Sequence, residues 1–259
     1  MPIGFFDSGV GGLSILRYTI TLLPSYDYIY IADSANCPWG ERDNNFILNR
    51  SRQLTRFLAE CGARLIVVAC NSASTNVIDQ LRVDFPELSF VGVEPGVKPA
   101  SEITKNGRIA VLATRATSRG NKYIRTKEKH TQGKSVITVA APELVNWVEH
   151  DREINFCRKA KLSEILDPAI SFGADTLVLG CTHFPFLIEQ IKACLPDEIT
   201  VIDTGDAVAR QVERLCKSLE IEHGSGKLRV FTSGDVGVAS KLVAKLMCIS
   251  HMECETIEK

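Results

Sequence analysis

The sequence predicts an α/β protein with mainly parallel sheets, built as two similar halves. Three observations carry that expectation. Apolar, β-branched runs recur and end abruptly in small polar residues, the pattern of strands covered on both faces. Between them lie segments with helical periodicity, so strands and helices alternate. The pattern also restarts partway along the chain: Ile3 and Ile109 lie 106 residues apart, Cys70 and Cys181 lie 111 apart, and each pair opens or closes a similar unit.

In chain order, residues 3–6 form a short apolar strand that DSGVGG (7–12) turns into a helix over 13–22. Small and capping residues at such a turn leave backbone N–H groups free to face an anion. A tight βα turn is the plain alternative, but Asp7 is an odd choice for a loop that only holds phosphate. A second strand over 28–32 ends in DSANCPWG (33–40), a Pro/Gly loop in which Trp39 is expected as a lid over a pocket or as a surface anchor. Residues 45–61 read as an amphipathic helix with Phe46, Leu54, Phe57 and Leu58 on one side. A third strand over 64–69 runs into Cys70 and a helix over 73–85. A fourth over 90–93 leads to Glu94-Pro95-Gly96, a hinge.

The second half begins with a strand over 108–113 and a hydroxyl-rich loop over 114–120. A strand at 135–140, helices at 142–150 and 157–172, and a strand at 176–179 lead to Cys181. A helix over 184–194 and a strand over 200–202 end at Asp203-Thr204-Gly205. A helix at 206–219, a strand at 227–231 and a helix at 236–246 have no earlier counterpart, so they are expected to return to the first half. The domains are then 1–95 plus 206–259, and 96–205, each flavodoxin-like, with a cleft between them where strand carboxyl ends meet.

Composition bounds the function. The 259 residues are 45% hydrophobic, and 30 Lys plus Arg oppose 31 Asp plus Glu. No basic run follows a phosphate backbone, so nucleic-acid binding is not expected. The start, MPIGFF, lacks a secretory pattern and no apolar run approaches the ~20 residues of a membrane span, which predicts a cytoplasmic protein without a membrane segment. Nine cysteines then read as reduced thiols. Cys61, Cys157, Cys194, Cys216 and Cys248 are expected to be packing residues, and Cys248, His251 and Cys254 a frayed tail rather than a metal site.

Cys70 and Cys181 differ because each ends a strand at a ligand-facing edge and precedes polar residues, Asn71-Ser72 and Thr182-His183. A helix N-terminus or nearby cation lowers a thiol's pKa and makes it a usable base. Asp7 beside Cys70 and His183 beside Cys181 supply partners. Two facing thiols suggest a redox pair, a metal site or opposed acid and base. A redox pair usually comes as Cys-x-x-Cys, which is absent, and His183 alone gives a metal too few further ligands. Opposed acid and base groups fit a reaction in which one face of a carbon loses a proton while the other gains one.

FDSGVGG (6–12), CPWG (37–40), VVACNSAS (67–74), GVEPG (92–96), GCTHFP (180–185), DTG (203–205) and FTSGD (231–235) together resemble the glutamate racemases of the cofactor-independent aspartate/glutamate racemase superfamily. The resemblance runs nearly the whole chain. It implies Cys70 and Cys181 as the two catalytic bases, assisted by Asp7, His183 and Glu149. It implies substrate contacts from Asp7, Ser8, Trp39, Gly40, Asn71, Ser72, Thr182 and His183, with Thr114 and Thr117 as further candidates. It also implies glutamate as substrate, no pyridoxal or other cofactor, no metal, a homodimer, and D-glutamate supplied for peptidoglycan. Three departures stand out: Trp39 where Tyr is usual, Ser72 where Thr is usual and Thr204 where Ser is usual. The alternatives are an aspartate racemase, since one methylene is worth only ~1–3 kcal/mol of discrimination, and a non-catalytic binding or regulatory relative.

Overall fold

The computed structural model describes residues 1–150 and 156–257. Its first sheet collects β1 (Ile3–Asp7), β2 (Tyr28–Ala32), β3 (Leu65–Val68), β4 (Ser89–Gly92), β9 (Leu228–Thr232) and β10 (Cys254–Thr256) in the order β10-β9-β2-β1-β3-β4. The second sheet collects β5 (Arg108–Ala113), β6 (Ser135–Ala140), β7 (Thr176–Gly180) and β8 (Thr200–Ile202) in the order β6-β5-β7-β8. Every pairing is parallel. The orders β2-β1-β3-β4 and β6-β5-β7-β8 are the same, so the duplicated unit expected from the sequence is present. β9 and β10 extend the first sheet beyond β2.

The helices are α1 (Leu13–Leu22), α2 (Asn44–Glu60), α3 (Asn71–Asn76), α4 (Ile78–Asp84), α5 (Val97–Ile103), α6 (Arg115–Arg119), α7 (Asn121–His130), α8 (Pro142–Glu149), α9 (Phe156–Ser171), α10 (Ile188–Lys192), α11 (Gly205–Ser218) and α12 (Val236–Met247). Alternation along the strands divides the core. Phe5, Tyr30, Leu65 and Val67 share one apolar cluster with Ala110, Leu112, Leu177 and Leu179, so residues of both sheets meet in a single core. Phe6, Ile31, Ile66 and Val68 face the other way against α2 and α4, and Ile109, Val111 and Val178 against α5 and α7. Each fully buried side chain of this kind stabilises the fold by about 1.5–3 kcal/mol. No described helix is long and apolar enough to cross a membrane.

Four local expectations change. The helix expected over 73–85 starts at Asn71 and breaks at Val77, where φ is −127°. The side chains of NSASTN compete for its backbone: Thr75 Oγ1 donates to the Asn71 carbonyl and Asn76 Nδ2 to that of Ser72, both at 2.8 Å. The helix expected over 184–194 opens as a 3-10 turn, Phe184–Leu187, and becomes α-helical only at Ile188–Lys192. The tail is not frayed: Cys254 is buried and β10 pairs with β9. Cys157 and Cys248, expected to pack inside, are exposed.

Asp175 staples the entry to β5 onto the entry to β7. Its carboxylate accepts the Thr104 hydroxyl at 2.6 Å, the Lys105 and Asn106 N–H groups at 2.7 Å and the Thr176 hydroxyl at 2.9 Å. Burial pushes this carboxyl up, but those four donors outweigh it and hold it below 3.8. A depressed acid stabilises the fold above its unfolded pKa and loses that contribution as pH falls through its folded one. Asp175→Ala is therefore expected to cost about 1–3 kcal/mol in denaturant unfolding at neutral pH. The gap to the parent should shrink as pH falls below ~4.

Candidate active site

Cys70 and Cys181 end β3 and β7 and are buried, at 4% and 6% exposure. Both line one cleft with Asp7, Ser8, Pro38, Gly40, Asn71, Ser72, Thr114, Val145, Thr182 and His183. The cleft is nearly closed, with a cavity volume of about 10 Å³. That is room for about one water molecule, so a ligand enters only as the walls part. Two larger surface clefts, one beside Tyr18 and Phe186 and the other beside Arg50 and Phe57, touch neither thiol.

On the Cys70 side, Asp7 is fully buried at the end of β1. Its carboxylate accepts the Ser8 and Gly12 N–H groups at 2.6 Å and the Thr182 hydroxyl at 3.1 Å. Burial pushes the carboxyl up, opposed by the His183 charge and by hydrogen bonds from Cys70 and Ser8. The thiol itself departs from expectation. Burial and the neighbouring Asp7 drive Cys70 well above the ordinary thiol value, and the Ala73 N–H at the start of α3 recovers only part of that. Cys70 therefore rests as a protonated thiol rather than an activated base.

On the Cys181 side, the sulfur lies 3.7 Å from His183 Nδ1, and His183 Nε2 lies 2.6 Å from Glu149 Oε1. Glu149, the last residue of α8, also accepts the Val10 N–H at 2.7 Å. Burial alone lowers the pKa of His183. Hydrogen bonds to Cys181, Cys37 and Glu149 overcome it and raise the imidazole well above its ordinary value. The ring therefore carries a charge, with one N–H aimed at the sulfur and the other at the carboxylate.

Ser8, Gly40, Asn71, Ser72, Thr114 and Thr182 all reach the cleft wall. Among the described residues the lining holds no Lys or Arg, and hydroxyls, the Asn71 amide and backbone N–H groups at the strand ends are what these residues offer a carboxylate. Thr117 stands behind the wall: its hydroxyl takes one from Thr114 at 3.0 Å and lies 3.4 Å from Ser72. Trp39 is neither lid nor surface anchor. It is fully buried against Phe6, and its indole N–H donates to Asp33 at 3.2 Å, a carboxylate that also holds Arg50. The tryptophan thus braces the loop that presents Gly40 and does not line the cleft itself.

Sequence reasoning missed Pro38, Val145 and Cys37. Val145 lies one turn before Glu149 on α8, and that i, i+4 spacing is a signal that would have found it. Cys37 lies beside His183 and Glu149 through a loop contact that carries no periodic signal.

Comparison with known proteins agrees with this geometry. Residues 14–212 match the family model described as Asp/Glu/hydantoin racemase. The glutamate racemase of Herpetosiphon aurantiacus is 42% identical over 244 residues, covering 93% of this chain and 96% of that protein. The structure of Escherichia coli glutamate racemase in complex with L-glutamate and an activator superposes with a TM-score of 0.85 at 33% identity, covering 100% of this chain and 97% of that one. Glutamate racemase isoform RacE1 from Bacillus anthracis superposes with a TM-score of 0.90 at 27% identity, covering 99% and 97%.

Gly11 tests the placement of His183. A Cβ at Gly11 would lie 2.3 Å from His183 Nδ1, so Gly11→Ala must push the ring off Cys181. Activity is expected to fall by at least about tenfold, the low end of what a misplaced acid–base group costs being ~10²-fold when it is lost outright. Far-ultraviolet circular dichroism should be unchanged. Unaltered activity would show that the ring position does not matter.

Proposed function

The chain belongs to the Asp/Glu/hydantoin racemase family, and from that premise we propose that it interconverts L- and D-glutamate by passing the α-proton between Cys70 and Cys181. The observation that carries this reading is the meeting of both buried thiols on one small cleft, each with a different titratable partner. In one direction, the Cys181 sulfur, which faces His183 Nδ1, acts as the base that takes the α-proton, and the Cys70 thiol delivers its own proton to the opposite face of the carbanion. That leaves Cys181 as thiol and Cys70 as thiolate, the protonation pattern that the opposite enantiomer requires. Between turnovers in the same direction, solvent returns a proton to Cys70 and takes one from Cys181, while Asp7 holds the loop beside Cys70 and Glu149 keeps the His183 ring oriented.

Ser8, Gly40, Asn71, Ser72, Thr114 and Thr182 would hold the two carboxylates and the amine, with Thr117 fixing Ser72 and Thr114. The domain division 1–95 plus 206–259 against 96–205 belongs to this proposal, as does a homodimer; the first is supported by β9 extending the first sheet and the second by the resemblance alone. The product would feed peptidoglycan synthesis in a bacterial cytoplasm.

Incubation of the purified protein with L-glutamate should carry its optical rotation to zero, while L-aspartate should keep its rotation over the same period. Turnover of aspartate alone, or of neither, would overturn the assignment. Cys70→Ser and Cys181→Ser should each lower racemisation by at least about 10²-fold with the fold intact. Full activity in either variant would contradict the two-thiol scheme.

A further inference from the structure

His183 has a second sulfur beside it. Cys37, His183 and Glu149 place one ligand atom each within 4.8 Å of one another, the group of this kind found among the described residues. The sequence expectation that His183 lacks companions for a metal therefore fails in three dimensions. The loop that Asp33 and Trp39 brace carries Cys37 to the ring, and α8 carries Glu149 there. In the reaction proposed above this thiol neither gives nor takes the α-proton; it only borders His183. Cys37 is also absent from the cleft lining and only partly buried, so it is reached without passing between Cys70 and Cys181.

We propose that Cys37, His183 and Glu149 form a binding site for a thiophilic divalent cation of the zinc class, which switches the racemase off by occupying the His183 Nε2 that otherwise meets Glu149 and locking the ring that faces Cys181. The donor set is thiolate, imidazole and carboxylate, the mixture that zinc-class ions favour over magnesium or calcium. Bonds of about 2.3 Å to sulfur and about 2.0–2.2 Å to nitrogen and oxygen place tetrahedral ligands roughly 3.3–3.6 Å apart. The 2.6 Å gap between His183 Nε2 and Glu149 Oε1 opens by under ~1 Å to admit the ion. The cation replaces the proton these two atoms share and the thiol proton of Cys37, and both protons leave to solvent. Glu149 is already fixed by the Val10 N–H, which supplies the outer support that metal-binding carboxylates use. Three protein ligands leave the fourth position for water.

The binding claim stands on the geometry alone, and its inhibitory consequence rests on the racemase reading. Cobalt(II) is the probe, because a thiolate ligand announces itself by a near-ultraviolet charge-transfer band. Titration of the full-length, metal-free protein should give that band at one equivalent. The band should persist in the Cys70→Ser/Cys181→Ser double variant. It should vanish in Cys37→Ala and in the size-conserving Cys37→Ser, with affinity down at least about 10-fold. One equivalent of zinc should suppress racemisation by the parent protein at least about tenfold, whereas Cys37→Ala, compared with its own metal-free rate, should show no inhibition. A band that survives Cys37→Ala and disappears with the cleft thiols, or no band at all, would overturn the site. Failure of the racemase reading shows separately, as a metal-free protein that leaves L-glutamate unchanged while still giving the cobalt band.

Discussion

The architecture turns on one buried carboxylate. Asp7 ends β1 of the first sheet and accepts two N–H groups of its own loop and the hydroxyl of Thr182 from the second. Ser14, from α1, reinforces the same junction by donating to the Thr182 carbonyl at 2.7 Å. The Val10 N–H on Glu149 adds a third bond between residues 139 apart in sequence. A desolvated carboxylate without those donors would be costly, so its satisfaction requires the carboxyl ends of β1 and β7 to meet. The cleft and its two thiols lie at that meeting.

Duplication supplied two strand tips, and the chemistry depends on how they diverged. The offset of 106 that relates Ile3 to Ile109 sets Asp7 against Ala113, and the offset of 111 that relates the cysteines sets His183 against Ser72. Each half therefore carries one titratable helper and lacks the other. The result is a thiol held high by burial and an anion on one side, and a sulfur facing a charged imidazole on the other. Opposed acid and base roles need such inequality, because two identical thiols in one dry cleft would compete for the same protonation state.

Much of this was legible in one dimension. Buried parallel strands announce themselves as continuous apolar runs, so β1, β3, β5 and β7 and the cysteines that end two of them were readable, as were Asp7 and His183 beside them. Glu149 was readable only through resemblance, since nothing in the spacing of α8 ties it to a residue 34 positions later. Trp39 misled because a Pro/Gly loop suggests exposure, whereas the Asp33 carboxylate draws its indole N–H inward. Thr117 owes its position to the packing of α6 on α3, and Cys37 to the approach of its loop to His183 and Glu149. The sheet-forming tail was missed because three residues are too few for a periodic signal, and it is held by pairing with β9 instead.

The measurement that bears most directly on proton transfer through two sulfurs on opposite faces is the early deuterium content of each enantiomer when L-glutamate turns over in heavy water. The account predicts that D-glutamate carries solvent deuterium at its α-carbon from the first turnovers while the remaining L-glutamate carries none. Product that keeps the original hydrogen, or substrate that exchanges as fast as product forms, would mean that a single group serves both faces.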